Sequence, residues 1–205
     1  FNLRTDNWHY LRAAPVSVPR FVLESSIDFS TVLPAVFETT ALLHTWLPGS
    51  RANPPGRPSL PAVLIAGSLV AGVAAIALML LQPHYFFPFV WVGLFLLLDP
   101  LNAALRAPSL LAAAYRAHWR PLVVLALAGL ACGFWWEMWN SLSMPRWYYT
   151  VPLVPQQRLF EMPLVGYSGY VPFAWECFAI YTLASRPFRA RSGADHTVPL
   201  YVPLA

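Results

Sequence analysis

The chain has 205 residues, of which 58% are apolar and only 11% charged. Soluble globular domains carry about 25% charged residues, so this composition excludes an ordinary water-facing surface and points to lipid as the solvent. The formal charge of +4 comes from Arg alone, with no Lys and no long basic run. That excludes a basic nucleic-acid stripe and leaves membrane anchoring and topology as the use of the charge.

A helix needs roughly 20 mostly apolar residues, about 17–25, to cross the hydrocarbon. Five stretches meet this and predict an all-α, polytopic transmembrane bundle of about five spans. They are residues 28–47 (the most polar), 60–82, 85–101 after a tight turn at Pro83, 121–140, and the short 169–185. Residues 108–118 read as a short interfacial helix. The Pro-rich residues 151–155 and the tail from Thr197 read as extended loops.

Arg asymmetry sets the expected topology. Arg4, Arg12, Arg20, Arg146 and Arg158 fall on one side of five crossings. Arg51, Arg57, Arg106, Arg116, Arg120, Arg186, Arg189 and Arg191 fall on the other, in shorter segments. The Arg-rich side is expected to be cytoplasmic, which makes the chain a multi-pass protein of a bacterial inner membrane with a cytoplasmic C-terminus. Residues 1–27 and 141–168 are then external. These external segments hold Trp8, His9, Tyr10, Trp147, Tyr148, Tyr149, Tyr167 and Tyr170. Such a set reads either as an interfacial aromatic belt or as a lid over a site between helices.

Two parts of the chain echo each other at one spacing. Phe1-Asn2 matches Trp139-Asn140, Tyr10 matches Tyr148, and Val32 to Glu38 matches Tyr170 to Glu176, each pair 138 residues apart. A gapless spacing of this kind predicts a parallel internal repeat, with a site at the repeat interface. It divides the chain into a truncated first repeat with one span (1–47), a linking span (48–84), a second repeat with three spans (85–185) and a cytoplasmic tail (186–205). Because Asn140 ends a helix, Asn2 should end one too, so at least one further helix is expected ahead of Phe1.

The residues that stand out are acids at membrane depth, where an ionisable group costs about 2.5–3.5 kcal/mol to insert. Glu38 and Glu176 sit near the middle of their stretches. Glu137 lies within Trp135-Trp136-Glu137-Met138-Trp139-Asn140, and Asp99 near the end of the third stretch. A carboxylic acid in an apolar site can donate a proton. It can equally hold a bundle together by bonding to a Tyr, a Trp or a carbonyl on a neighbouring helix. Asp99 is the best placed to reach the interface or cap a helix end. Arg158 and Glu161 read as an ion pair within the external loop. Cys132 and Cys177 form no CxxC pattern, and His44 and His84 are 40 residues apart, so no metal, haem or disulfide is indicated. No phosphate loop, nucleophile elbow or zinc signature appears.

Trp136-Glu137, Trp147-Tyr148 and Pro172-Phe173-Ala174-Trp175-Glu176 stand in an order that resembles the bacterial and archaeal lycopene cyclase domain family. Trp8-His9-Tyr10 and Pro34-Ala35-Val36-Phe37-Glu38 repeat the latter part. The resemblance implies parallel three-helix repeats and a reaction that closes rings on the ends of a linear carotenoid. Such a reaction needs an acid, a base, a dry pocket and aromatic faces for a carbocation, and no redox cofactor. The candidates are Glu38 and Glu176 as acid and base with Glu137 assisting. Trp135, Trp136, Trp139, Trp175 and Asn140 would line the substrate. A second reading makes the chain a non-catalytic, lipid- or pigment-binding subunit of a larger respiratory or photosynthetic membrane complex. A third uses the same acids as a transport relay.

Overall fold

The structure, a computed structural model, describes residues 7–12, 15–47, 59–151 and 157–192, with only the backbone of Trp8 and of residues 189–192. Asn2, Arg4, Arg51, Arg57, residues 152–155 and the tail from Thr197 lie outside the described residues.

The described chain is mostly helical. It begins with strand β1 (Trp8–Leu11) and helices α1 (Val18–Ser30) and α2 (Val32–Trp46). A long apolar helix, α3 (Ala62–Leu81), is followed by a single turn at Pro83–Phe86 and by α4 (Phe89–Ala104). Next come the short α5 (Leu110–Tyr115) and the long α6 (Arg120–Ser141). After α6 come β2 (Arg146–Tyr149), the two-residue strands β3 (Arg158–Leu159) and β4 (Met162–Pro163), a 3-10 segment (Leu164–Gly169) and α7 (Tyr170–Ser192).

Two of these helices, α3 and α6, are long and apolar enough to cross a membrane, which corrects the expectation of about five spans. The reasons are local. The stretch 28–47 is broken at Thr31, whose amide and hydroxyl both turn back to Asp28 O. This leaves α2 with 15 residues. At 1.5 Å per residue it is about 22 Å long, short of a ~30 Å hydrocarbon core. Helix α4 has 16 residues and falls short in the same way. Helix α7 has the length, at 23 residues, but carries Glu176 and Arg186 within it. The interfacial helix expected at 108–118 is the six-residue α5.

Helices α2 and α7 both run away from the strands, and α6 runs back toward them. At the far end, Arg120 at the start of α6 bonds to Leu47 O at 2.9 Å and to His44 Nδ1 of α2. In the middle, Thr39 of α2 meets Cys132 of α6. The core lies where α2, α4, α6 and α7 converge, built from Val36, Phe37, Phe95, Leu125, Ala174 and Phe178. Helix α3 packs chiefly on α4, and only 17% of its apolar span is buried.

Asp99 of α4 is fully buried and caps a neighbouring helix. Its carboxylate accepts from Ser109 Oγ at 2.6 Å and from the amides of Leu110 and Leu111 at 2.9 Å, the opening of α5. Those first-turn amides have no partner inside their own helix. Asn102, one turn on, donates to Ala179 O of α7 at 3.0 Å.

Strands β1 and β2 form an antiparallel ribbon with Trp8 opposite Tyr149 and Leu11 opposite Arg146. The strands cover ranges 138 residues apart, and Val32 and Tyr170, which open α2 and α7, are also 138 apart.

Candidate functional site

The site is built around Glu137, which is fully buried near the ribbon end of α6. Its Oε1 accepts three hydrogen bonds, from Tyr149 OH at 2.7 Å, Tyr170 OH at 2.8 Å and Trp147 Nε1 at 3.3 Å. Its Oε2 is buried with no hydrogen-bond partner among the described residues. Three donors therefore come from two elements distant in sequence from each other, β2 and α7, and meet on one oxygen.

Asn140, one turn after Glu137, explains how β2 is aimed. Its Nδ2 donates to Trp147 O at 2.7 Å and its Oδ1 accepts from Trp147 N at 2.8 Å. The Asn140 amide thus pairs with Trp147 as a neighbouring strand would, and sets the indole of Trp147 and the phenol of Tyr149 against Glu137. β1 covers the other edge of β2. His9 stacks on Tyr148 with centroids 5.0 Å apart, its Nε2 lies 2.8 Å from Thr150 Oγ1, and Thr150 N donates to Asn7 O.

Tyr170 reaches Glu137 because α6 carries no side chain where α7 crosses it. A Cβ on Gly133 would collide with the Tyr170 ring, and one on Gly129 with the Tyr170 carbonyl and with Ala174 Cβ at 2.8 Å. This Gly129-x-x-x-Gly133 spacing is the small-residue pattern that lets two helices approach closely. It is present in the sequence and is the signal that residue-by-residue reasoning misses; the tyrosines are in view there, but not which of them meets Glu137.

Outside the long helices, the phenols of Tyr149 and Tyr167 are held in the neutral form. Burial first, and then the neighbouring Tyr170 and Glu137, push Tyr149 well above the usual phenol value. Burial, with Glu137 second, pushes Tyr167 up to about 12. Tyr149 therefore remains a hydrogen-bond donor at physiological pH.

The sequence candidates divide. Glu137, Asn140 and Trp136 belong to one cluster, with Trp136 against Tyr170 and Phe173. Trp135 and Trp139 are 49% and 58% exposed and pack on each other outside it. Trp175 is spent on the core, donating to Leu122 O at 2.9 Å and tilting on Phe95. Glu176 is buried with Oε2 unpartnered among the described residues, but it lies nearly two turns along α7 from Tyr170 and shares no hydrogen bond with the Glu137 cluster. Glu38 is exposed on α2, which corrects its expected place inside a shared interior. Phe37 packs on Tyr181 and Thr39 meets Cys132, so the residue between them points outward.

Among the aromatics of the segments expected to be external, Trp147, Tyr149 and Tyr170 turn inward onto Glu137, while Tyr10 and Tyr148 are exposed. The expected Arg158–Glu161 ion pair is also corrected. Arg158 bonds instead to the backbone carbonyls of Glu161 and Tyr149, and the Glu161 carboxylate pairs with Arg146 at 3.6 Å. The tight β3–β4 turn sets the Arg158 guanidinium against main chain. No group of three or more His, Cys, Asp or Glu placed to hold a metal occurs among the described residues.

No family model matches the chain, and no curated protein and no solved structure matches it.

Proposed function

We propose that the chain is a multi-pass protein of a bacterial inner membrane that carries out acid–base chemistry on an apolar, isoprenoid-type substrate at Glu137. The observation that carries this reading is the Glu137 carboxyl itself. It is fully buried, with one oxygen supplied with three donors and the other without a partner among the described residues. A purely structural carboxyl would be expected to use both oxygens, as Asp99 does in the same fold.

The reaction class is a redox-neutral ring closure. A carboxylic acid gives its proton to a terminal alkene, forming a C–H bond and a carbocation. A second alkene attacks the cation and closes the ring through a new C–C bond. A carboxylate then removes a neighbouring proton, restoring a double bond. Protons balance and no oxidant is consumed. Trp136, Tyr170 and Phe173 supply aromatic faces beside Glu137 for the cation, and Glu176 is the second buried carboxyl on offer. Glu38, being exposed, has no part in this version. The resemblance to lycopene cyclase domains in Trp136-Glu137, Trp147-Tyr148 and Pro172 to Glu176 supports a carotenoid as the substrate.

The 138-residue spacing supports the repeat as well. Equivalent strands pair antiparallel and α2 and α7 run the same way, as a two-fold axis along the membrane normal requires. In this arrangement the Arg-rich end, with Arg106, Arg116 and Arg120, faces the cytoplasm.

The test is expression of the complete gene in a host that accumulates lycopene. Ring-ended carotenoids are expected, and their loss in Glu137→Gln with the protein still in the membrane. Acyclic carotenoid alone, with the wild-type chain folded in the membrane, overturns the carotenoid reading. The second reading, a non-catalytic subunit, is favoured by the wide apolar surface of α3. It predicts partner proteins that stay bound in mild detergent.

A further inference from the structure

Beyond the Glu137 cluster, the α4–α7 contact holds a second set of buried polar groups. Glu176 is 5% exposed, Thr182 1% and Asn102 of α4 0%. Glu176 Oε2, Thr182 Oγ1 and Asn102 Oδ1 all lack a hydrogen-bond partner among the described residues. Asn102 spends the other end of its amide on Ala179 O, so its free oxygen lies at the Ala179 turn of α7. Positions 176, 179 and 182 form one i, i+3 row, in which neighbours stand about 5–6 Å apart between Cβ atoms. One water, with two hydrogen bonds of about 2.8 Å each, spans such a step. Polar groups buried this close together are where proteins hold internal water. The row continues to the half-buried Ser185, whose Oγ donates to Thr182 O at 3.4 Å, and next to it stands the exposed Arg186 at the Arg-rich end.

The ionisable groups around Glu176 are otherwise engaged or distant. Cys177 stands beside it, and Cys132 of α6 meets Thr39 of α2. The Asp99 carboxylate on α4 is filled by the opening of α5. Tyr181 packs on Phe37, His44 of α2 bonds to Arg120, and Glu38 is exposed. None of them shares a hydrogen bond or an ion pair with Glu176.

We propose that Glu176 exchanges its proton with water at the Arg-rich end of the bundle, through a short file of waters held by Asn102 and Thr182. The route is separate from the three donors on Glu137. In the ring closure Glu176 gives or takes one proton per ring, and the file returns that proton from, or passes it to, the outer water. The inference rests on the reading of Glu176 as the second carboxyl of that reaction, but the exchange needs no substrate.

The test follows the C=O stretch of the protonated carboxyl by infrared spectroscopy, with the protein in lipid vesicles moved from H2O to D2O. Deuterium on the acid shifts this band, and Glu176→Gln identifies it by its loss. The wild-type band is expected to shift. Thr182→Val, which replaces the hydroxyl by a methyl, should slow the shift about tenfold, the effect of one hydrogen bond lost from the path. Thr182→Ser should keep the wild-type rate. A wild-type band that never shifts overturns the proposal, as does a Glu176→Gln variant that loses no band, and neither result needs a Thr182 variant to fold. Exchange as fast in Thr182→Val as in wild type, or slowed equally in Thr182→Ser, also overturns it. Ring-ended products from a chain whose Glu176 does not exchange sink the route alone. Exchange without such products sinks the carotenoid reading and leaves the route standing.

Discussion

The Tyr170 hydroxyl lies 2.8 Å from Glu137 Oε1 across an α6–α7 contact that leaves no room for a Cβ on Gly133. The buried acid and the small residue one turn before it are therefore parts of one device: the glycine admits the ring that carries the donor. Gly133→Ala should push Tyr170 away and lower stability by about 1–3 kcal/mol, the usual cost of overpacking. Gly67→Ala, where a Cβ meets nothing within 4 Å, should be neutral or slightly stabilising through helix propensity. Thermal unfolding of the two variants in detergent compares them directly, and equal midpoints would show that the glycine contact is not tight.

The three donors on Glu137 share one acceptor oxygen, so they should not act independently. Tyr149→Phe and Tyr170→Phe are each expected to cost about 0.5–1.5 kcal/mol, the range for hydrogen bonds between neutral groups. The double variant should depart from the sum of the two by at least about 0.5 kcal/mol. A double-mutant cycle on unfolding free energies measures this, and strict additivity would place the two phenols in separate interactions.

Asp99 caps a helix to which it does not belong. Asp99→Ala strips partners from Ser109 and from the Leu110 and Leu111 amides. At about 1–3 kcal/mol for each buried group left unpaired, it should be among the most damaging single changes in the chain. Asp99→Asn, which keeps one acceptor oxygen, should be milder. Protein yield and thermal midpoint rank the two, and the reverse order would remove the capping role.

Tyr167 supplies a pH signature for the loop beside Glu137. Its phenol is raised from the usual 10.0 to about 12, by burial first and by Glu137 second. The fold thus favours the neutral form. Its contribution is fully present below about pH 10 and is lost as pH rises through about 12. Tyr149 shifts in the same direction for the same leading cause, so this loop should hold until strongly alkaline pH and then loosen. Near-ultraviolet titration of phenolate, with Tyr167→Phe as the difference, reads the value, and a component near 10 for Tyr167 would show an open, wet loop.

Legibility in the sequence followed the range of the forces involved. Acids inside apolar stretches are visible because charge and hydropathy are properties of the chain, and Glu137, Asp99 and Glu176 are indeed buried. Glu38 has the same sequence signature and is exposed, because the side of α2 that meets the core depends on where α6 and α7 lie. The partners of Glu137 were among the aromatics noticed in the loop, yet nothing local separates Tyr149, which turns inward, from Tyr148, which is exposed and stacks on His9. That alternation follows from the pairing of β2 with β1.

Composition and hydropathy by themselves determined that this chain is helical, that α3 and α6 are long apolar helices, and that a few carboxyls sit among apolar residues. Which carboxyl gathers donors was decided only by tertiary structure. It took the Gly129–Gly133 face of α6 to bring α7 within hydrogen-bonding distance, and the Asn140 amide to hold β2 over the same oxygen. Burial is written in the local sequence because transfer from water is a sum over atoms. Hydrogen-bond partnership is not, because it needs two distant segments to meet within about 3 Å at the right angle.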